Sequence, residues 1–242
     1  MQVKTKGIVI SETNYSETSK ILNILTEDYG LIGVIAKGSR NMKNKLRGVS
    51  NKMNYCEYTI SYKEKGLSTL IEGSTLNSFK NIYLDMRKAF YSFFLMDLFS
   101  QVLKENNNKK LFSLLENSLI KINDGLNEKL ICVIVEIKLL EYLGVSLNME
   151  CCNICGRDDE FLTVSINDGG IICKNCYHDG YVFNDKTLKL FLLLAKIDLF
   201  KIKKLELTDD NAFNEIDKFL DEYYNFYTGI YLNKKDKLEM FR

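Results

Sequence analysis

The cysteine-rich stretch "CCNICGRDDEFLTVSINDGGIICKNC", residues 151–176, holds five of the seven cysteines in the chain. It contains two pairs, Cys152-x-x-Cys155 and Cys173-x-x-Cys176, with 17 residues between them. This spacing is typical of a four-cysteine zinc site. Four thiolates fill the tetrahedral shell of Zn²⁺ and leave no position for water or substrate. The pattern therefore predicts a structural zinc ion, not a catalytic one.

The residues around the two pairs favour a small ribbon. Gly156 directly follows Cys155 and tolerates the positive backbone φ angle that a tight metal-binding turn often needs. Asp168, Gly169 and Gly170 stand where a hairpin between the two pairs would reverse. The segment thus supplies the turns that its own predicted metal site requires.

Other interpretations of the cysteines stay open at this point. The competing metal is iron in a rubredoxin-like site, and the competing chemistry is a redox dithiol. Cys151 is an alternative to Cys152 as a ligand because the two are adjacent. His178, the only histidine, is interpreted as a surface residue and not as a ligand. In a reducing cytosol, regularly spaced cysteines are more often metal ligands than disulfides.

The N-terminal part of the chain reads as a small barrel. Short alternating segments separated by turn residues predict five strands within about 75 residues, which suits an OB-fold, although an SH3-like barrel would give almost the same pattern. Residues 27–30 and 63–66 read as two of the turns. The predicted strands are residues 4–11, 20–27, 31–38, 54–63 and 67–76.

The rest of the chain, apart from the cysteine segment, has helical periodicity. Residues 79–105 contain no glycine and are apolar on most faces, which predicts a helix buried among others. A later segment places Leu130, Ile134 and Ile137 on one face and ends at Gly144, a typical C-terminal stop. The further predicted helices are residues 109–123, 127–144, 185–200 and 210–232.

These patterns predict an α+β protein of several parts, an N-terminal OB-fold barrel followed by a helical bundle that carries an inserted four-cysteine zinc ribbon. The chain has 242 residues, long for one core and sufficient for two or three small ones. The predicted division is an OB-fold at 1–77, a first helical part at 78–150, the zinc insert at 151–182 and a C-terminal helical part at 183–242.

A basic stretch follows the third predicted strand. The formal net charge is only +1, so attraction for nucleic acid requires a local patch, and no acidic residue occurs between Asp28 and Glu57. A basic loop on a small barrel suits a phosphate backbone, with Tyr55, Tyr58 and Tyr62 as stacking candidates. The alternatives are a solvated basic loop and tyrosines that pack within the sheet. The candidate DNA contacts are Lys37, Arg40, Lys43, Lys45, Arg47 and Lys52.

The sequence does not predict an enzyme. The stretch "GVIAKGS", residues 33–39, lacks the lysine that a phosphate-binding P-loop needs, and the single histidine leaves a nucleophilic triad without a base. The N-terminus mixes polar and apolar residues, and no apolar run approaches the roughly 18 residues that span a bilayer. We therefore expect a cytoplasmic protein without a membrane segment.

The order of these parts resembles the RecO family of bacterial recombination mediators over essentially the whole chain. The first match is "YSETSKILNILTEDYGLIGVIAKGSR", residues 15–40. The second is "LEYLGVSLNMECCNICG", residues 140–156, in which a helix ending in Leu-Gly leads into the first cysteine pair, and "GGIICKNC", residues 169–176, closes the site. The chain departs from the family at "VSNKMNY", residues 49–55, where many members have a proline.

The resemblance implies a non-enzymatic, nucleoid-associated protein of DNA repair and recombination. It implies an OB-fold that binds single- and double-stranded DNA through the six basic residues, annealing of complementary strands, and RecA loading with RecR and single-strand-binding protein. It further implies Zn²⁺ on Cys152, Cys155, Cys173 and Cys176, as in many members. The competing hypotheses are a zinc-ribbon protein-interaction module without direct DNA binding and a metal- or thiol-dependent oxidoreductase.

Overall fold

The computed structural model describes residues 1–204, 206 and 209–232. The chain divides into two compact units, the first Met1–Asp124 and the second starting at Gly125. The four-part division proposed from the sequence stays a prediction about folding units. None of the helices in the described part of the chain is long and apolar enough to cross a membrane.

The first unit begins with a closed five-stranded barrel, as predicted. Around the barrel the strands follow the order β1-β2-β3-β5-β4, and β1 pairs with β4 to close it. The pairings are antiparallel except that of β3 with β5, which is parallel. The order gives an OB-like barrel. The strands are β1 (Gln2–Tyr15), β2 (Ser19–Thr26), β3 (Gly30–Ala36), β4 (Tyr55–Ser61) and β5 (Ser68–Asn77).

The barrel core is built around Tyr58, which is fully buried. Its ring lies between two glycines that have no room for a side chain. A Cβ on Gly7 would come within 2.6 Å of the Ile24 side chain, and one on Gly73 within 2.9 Å of the Val49 side chain. The Tyr58 hydroxyl donates a hydrogen bond to the Val49 carbonyl at 2.8 Å. These two small residues therefore let a large aromatic fill a narrow barrel.

Three helices complete the first unit, and they correct one prediction. Residues 79–105 do not form one continuous helix, because Phe79 has a left-handed backbone (φ 47°) and Asp85 an extended one (φ −126°). The Asp85 carboxylate accepts hydrogen bonds from the backbone N–H groups of Arg87 and Lys88, so it caps a new helix. The helices are α1 (Lys80–Tyr83), α2 (Met86–Glu105) and α3 (Lys110–Asn123).

The second unit packs helices around a short hairpin. The central helix is buried on nearly every face, and its predicted core residues Leu130, Ile134 and Ile137 are all buried. Gly144 follows it with a φ of +75°, as expected for a helix stop. The elements are α4 (Glu128–Tyr142), β6 (Phe161–Ser165), β7 (Gly170–Cys173), α5 (Asp185–Lys196) and α6 (Asp210–Thr228).

We expect Tyr58→Phe to lower the free energy of unfolding by about 1–3 kcal/mol, because it leaves the buried carbonyl of Val49 without its hydroxyl donor. Urea unfolding followed by circular dichroism measures this change. Tyr62→Phe is the matched control, since Tyr62 lies just after the same strand and is only partly buried. Equal stability of the two variants would contradict a stabilising role for the hydrogen bond from the Tyr58 hydroxyl.

Candidate nucleic-acid interface and metal centre

The basic loop, residues 37–54, connects β3 to β4 and is ordered by its own hydrogen bonds. The backbone N–H groups of Asn41, Asn44 and Arg47 each donate to the carbonyl three residues earlier. The Asn44 side chain adds two bonds, donating to the Lys37 carbonyl at 3.2 Å and accepting from the Leu46 N–H at 2.8 Å. The loop is thus a chain of linked turns.

Apolar residues anchor the basic loop to the barrel. Leu46 and Val49 belong to the barrel core cluster, and Met53 is also buried. The Met53 N–H donates to the Val9 carbonyl at 2.8 Å, which ties the end of the loop to β1. Buried apolar anchors separated by exposed basic residues fix which side of the loop faces the solvent.

Five of the six predicted DNA contacts are exposed on this loop. Lys45 lies 4.0 Å from the Glu72 carboxylate, and both side chains are exposed, so this pair is weak. Among the residues that the structure describes, Lys37, Lys43 and Arg47 have no carboxylate within ion-pair distance. The exposed basic residues are Lys37, Arg40, Lys43, Lys45 and Arg47.

Arg40 joins the basic loop to the β1–β2 hairpin, a role that the sequence did not indicate. Its backbone N–H donates to the Thr18 carbonyl at 2.8 Å, and its guanidinium donates to the Ser16 carbonyl at 3.1 Å. The hairpin contributes an exposed aromatic, Tyr15. Lys20 adds a second link, with its ammonium 3.2 Å from Glu12 and 3.0 Å from the Asn51 side chain. The hairpin and the loop therefore form one surface at one end of the barrel.

Lys52 differs from the other five basic residues. Its ammonium lies 2.6 Å from the Asp97 carboxylate on α2 and 5.5 Å from the centre of the Phe93 ring. The Tyr83 hydroxyl donates to the Lys52 carbonyl at 3.3 Å. Within the first unit, Lys52 thus fastens the end of the basic loop to the helices.

Two of the three tyrosines considered for base stacking are in the core, as the sheet-packing alternative predicted. Tyr55 and Tyr58 are buried, and the Tyr55 hydroxyl donates to the Glu116 carboxylate on α3. Burial raises the pKa of Tyr58, so its hydroxyl stays a donor. Tyr62 is partly buried and lies 4.5 Å from Tyr29 between ring centres, at the end of the barrel opposite the basic loop.

The four cysteines of the two pairs come together in the second unit. The sulfur atoms of Cys152, Cys155, Cys173 and Cys176 all lie within 4.8 Å of one another. The Cys155 and Cys173 sulfurs are 3.7 Å apart, whereas four ligands at a Zn–S distance of about 2.3 Å would be about 3.8 Å apart. The cluster therefore has the donor type, the number and the size that a tetrahedral metal ion requires.

Cys151, the alternative ligand that the sequence left open, and His178, which was not expected to be a ligand, both lie outside this group. The Cys151 sulfur is 3.6 Å from the side-chain nitrogen of Asn148, and Cys152 contributes its sulfur to the cluster instead. The His178 ring nitrogen Nδ1 lies 3.2 Å from the Cys176 carbonyl. Gly156 has the positive φ, +75°, that the first turn was expected to need.

Local hydrogen bonds shift the pKa values of Cys152 and Cys176 in opposite directions. Burial of Cys152 opposes its ionisation, but backbone N–H groups, including that of Cys173 at 3.4 Å, outweigh this effect and lower its pKa to about 6. The Cys176 thiol is hydrogen-bonded to the Cys155 sulfur and to the other neighbouring sulfurs. These bonds raise the pKa of Cys176 to about 12. Backbone N–H groups near the Cys152 sulfur thus favour its thiolate form, which is the form that binds a metal ion.

The cysteine ribbon is tied to the surrounding helical unit by one side-chain and one backbone hydrogen bond. The Tyr227 hydroxyl on α6 donates to the Ile166 carbonyl at 2.8 Å. The backbone carbonyl of Asn148 accepts a hydrogen bond from the Ile171 N–H at 2.8 Å. A Cβ on Gly170 would lie only 2.5 Å from that carbonyl oxygen. Ordering of the ribbon is therefore coupled to the helical unit around it.

Fold and sites together define an OB-barrel protein with a basic loop, followed by a helical unit that carries a four-cysteine ribbon. A family model described as "Recombination protein O N terminal" matches residues 1–79, and one described as "Recombination protein O C terminal" matches residues 83–236. The chain therefore belongs to the RecO family.

Curated relatives agree with this assignment over nearly the full chain. A protein of Bacillus pumilus named "DNA repair protein RecO" is 33% identical over 239 residues, covering 97% of this chain and 93% of its own length. The protein of the same name in Bacillus subtilis is 30% identical and covers 99% of this chain and 94% of its own length. That of Caldicellulosiruptor bescii is 34% identical, with 85% of each chain covered.

The adjacent cysteines provide a test of the metal-binding register. We expect Cys152→Ser to lose bound metal, because it removes one of four converging sulfurs, and Cys151→Ser to retain about one ion per chain. Elemental analysis of the two purified variants measures this difference. Retention of metal by Cys152→Ser together with its loss from Cys151→Ser would show that Cys151, and not Cys152, is the ligand.

Proposed function

We propose that this protein is a non-enzymatic recombination mediator that binds single- and double-stranded DNA on its basic loop and anneals complementary strands. Its membership of the RecO family supports a role in DNA repair and recombination. At residue level, the proposal rests on the ordered basic loop and its exposed cations. Phosphate contacts supply most sequence-independent affinity for nucleic acid, and an ordered loop loses little further entropy on binding.

The proposed phosphate contacts are the exposed cations of the loop. Lys37, Lys43 and Arg47 are the strongest candidates because their charges are not neutralised by neighbouring carboxylates in the part of the chain that the structure describes. Arg40 and Lys45 would add to the same surface. Lys52 was included from the sequence, but its bond to Asp97 supports a positioning role for this residue.

The proposed mechanism needs no chemical step. The loop neutralises phosphates and so lowers the repulsion between two strands that approach each other. It leaves the base edges free, so complementary pairing itself drives annealing. Tyr15, exposed on the neighbouring hairpin, is placed to stack on an unpaired base.

We further propose that the cysteine cluster holds Zn²⁺ with a structural role. Four thiolates select soft metals, and zinc is the commonest occupant of closed tetrahedral sites of this type. Such an ion would stabilise a two-stranded ribbon that is too small to be stable alone. DNA engagement would remain with the barrel.

The partners that we propose follow from the family. They are RecR and single-strand-binding protein, with RecA loaded onto DNA as the outcome, in a cytoplasmic protein associated with the nucleoid. A zinc-ribbon module that binds only proteins is the second candidate. It is favoured over an oxidoreductase because four converging thiolates would leave a bound zinc ion no position for a substrate.

DNA binding on the loop predicts a specific salt dependence. Fluorescence anisotropy with a labelled single-stranded oligonucleotide should give a log–log slope of affinity against salt of about −3 to −4, if about four to six phosphates are contacted. We expect Lys43→Ala with Arg47→Ala to weaken binding and to reduce that slope by about 1.4, since each lost contact removes about 0.7.

A matched double variant controls this experiment. Lys63→Ala with Lys65→Ala removes two exposed cations from the opposite end of the same barrel, and its slope should match that of the native chain. If only this control variant loses affinity, the DNA site lies at the other end of the barrel. Absence of binding by the native chain at low salt would favour the protein-interaction module.

The zinc proposal is tested separately from DNA binding. Purified protein should be colourless and contain about one zinc per chain, and Cys155→Ser with Cys176→Ser should lose both the metal and several degrees of melting temperature. The salt slope of that variant should stay within error of the native value. A visible absorption band would indicate iron, and an unchanged melting temperature would rule out the stabilising role.

A further inference from the structure

The turn between α1 and α2 exposes three apolar side chains at one corner of the first unit. Tyr83 is 51% exposed, Leu84 is 74% exposed and Met86 is 63% exposed. We call residues 83–86 the α1–α2 corner. Apolar side chains that stand together on a surface among polar residues commonly mark a site of interaction.

The α1–α2 corner is held in place by the residues on either side of it. Phe79 and Ile82 are fully buried and anchor α1 in the first unit. Asp85 caps α2, because its carboxylate accepts hydrogen bonds from the backbone N–H groups of Arg87 and Lys88. The exposed apolar side chains are therefore carried by an ordered backbone, and a ligand that covers them has little chain left to order.

The α1–α2 corner adjoins the basic loop and the β1–β2 hairpin. The Tyr83 hydroxyl donates to the Lys52 carbonyl at 3.3 Å, and the Tyr83 ring packs edge to face on Phe93 with 6.4 Å between ring centres. The backbone N–H of Lys52 in turn donates to the Glu12 carboxylate on β1 at 3.1 Å. Burial, and to a lesser extent the Glu12 carboxylate, raise the pKa of Tyr83, so its hydroxyl stays a donor. Three segments of the first unit therefore meet at Lys52.

The charge around the α1–α2 corner favours a polyanion. The carboxylates nearby are engaged, since Asp85 caps α2, Asp97 pairs with Lys52, and Glu12 pairs with Lys20. An apolar surface among cations suits a ligand that has both negative charges and apolar faces. An unpaired DNA strand has both, in its phosphates and its bases. Residues 78–96 contain one acidic residue, Asp85, and three basic residues, Lys80, Arg87 and Lys88.

We propose that the α1–α2 corner contacts the unpaired bases of a DNA strand whose phosphates lie on the basic loop. Leu84 and Met86 would cover the faces of these bases. In a duplex those faces are stacked against neighbouring base pairs, so the corner would add affinity for single strands alone. The corner thus gives the protein a preference for single-stranded over double-stranded DNA. The inference rests on the proposed binding of DNA by the basic loop.

The test compares a labelled single strand with a duplex of the same length, using the full chain and fluorescence anisotropy. We expect Leu84→Ala with Met86→Ala to weaken single-strand binding about fivefold or more, because apolar contact with the bases is lost. Duplex affinity and the salt slope should stay at their native values, since no cation is removed. Leu67→Ala is the matched control, because Leu67 is 41% exposed at the end of the barrel opposite the basic loop.

An abasic oligonucleotide separates contacts to bases from contacts to phosphates, because it keeps the phosphates and lacks the bases. The native chain should bind the abasic strand more weakly than the intact strand. The Leu84→Ala, Met86→Ala variant should show a smaller difference between the two strands, whereas Leu67→Ala should show the native difference.

The outcomes distinguish this inference from the proposed function. Native-strength binding of the single strand by the Leu84→Ala, Met86→Ala variant would overturn the role of the corner and leave DNA binding by the loop intact. An equal loss of affinity for single strand and duplex would also overturn it. Self-association of the native chain that this variant abolishes would assign the corner to a second copy instead. Absence of single-strand binding by the native chain would overturn both proposals together.

Discussion

Burial of Leu46 and Val49 in the barrel core is the interaction on which the basic surface depends. A loop of this length would ordinarily lose substantial conformational entropy on binding, about 1–2 kcal/mol for each backbone residue that becomes fixed. Here that entropy is lost during folding, because apolar side chains between the cations are drawn out of water. Lys45 and Arg47 flank Leu46 and are consequently exposed. The hydrophobic core of the barrel thus orders the electrostatic site.

The cysteine ribbon is ordered in a different way from the basic loop. A two-stranded hairpin has little core of its own, and it is held by converging sulfurs on one side and by hydrogen bonds from Tyr227 and Asn148 on the other. Loss of a bound metal ion would therefore lower the stability of the helical unit more than that of the barrel.

Local charge, more than total charge, distinguishes the surfaces of this protein. The net charge of +1 conceals a loop with exposed cations in the first unit and a groove lined by the carboxylates of Asp179, Glu215 and Glu222 in the second.

The sequence by itself determined the five strands of the barrel region, the cysteine ribbon and the family, because alternation, turn residues and cysteine spacing are local signals. The order of the strands around the barrel, with β3 beside β5, came only from the structure. It did not reveal the break at Asp85, since apolar periodicity continued on both sides of that cap. Only tertiary structure decided that Tyr55 and Tyr58 are buried, that Lys52 is paired with Asp97, and that Cys152 joins the cluster while Cys151 does not. Each of these features depends on which residues distant in sequence come into contact, and that is fixed by packing.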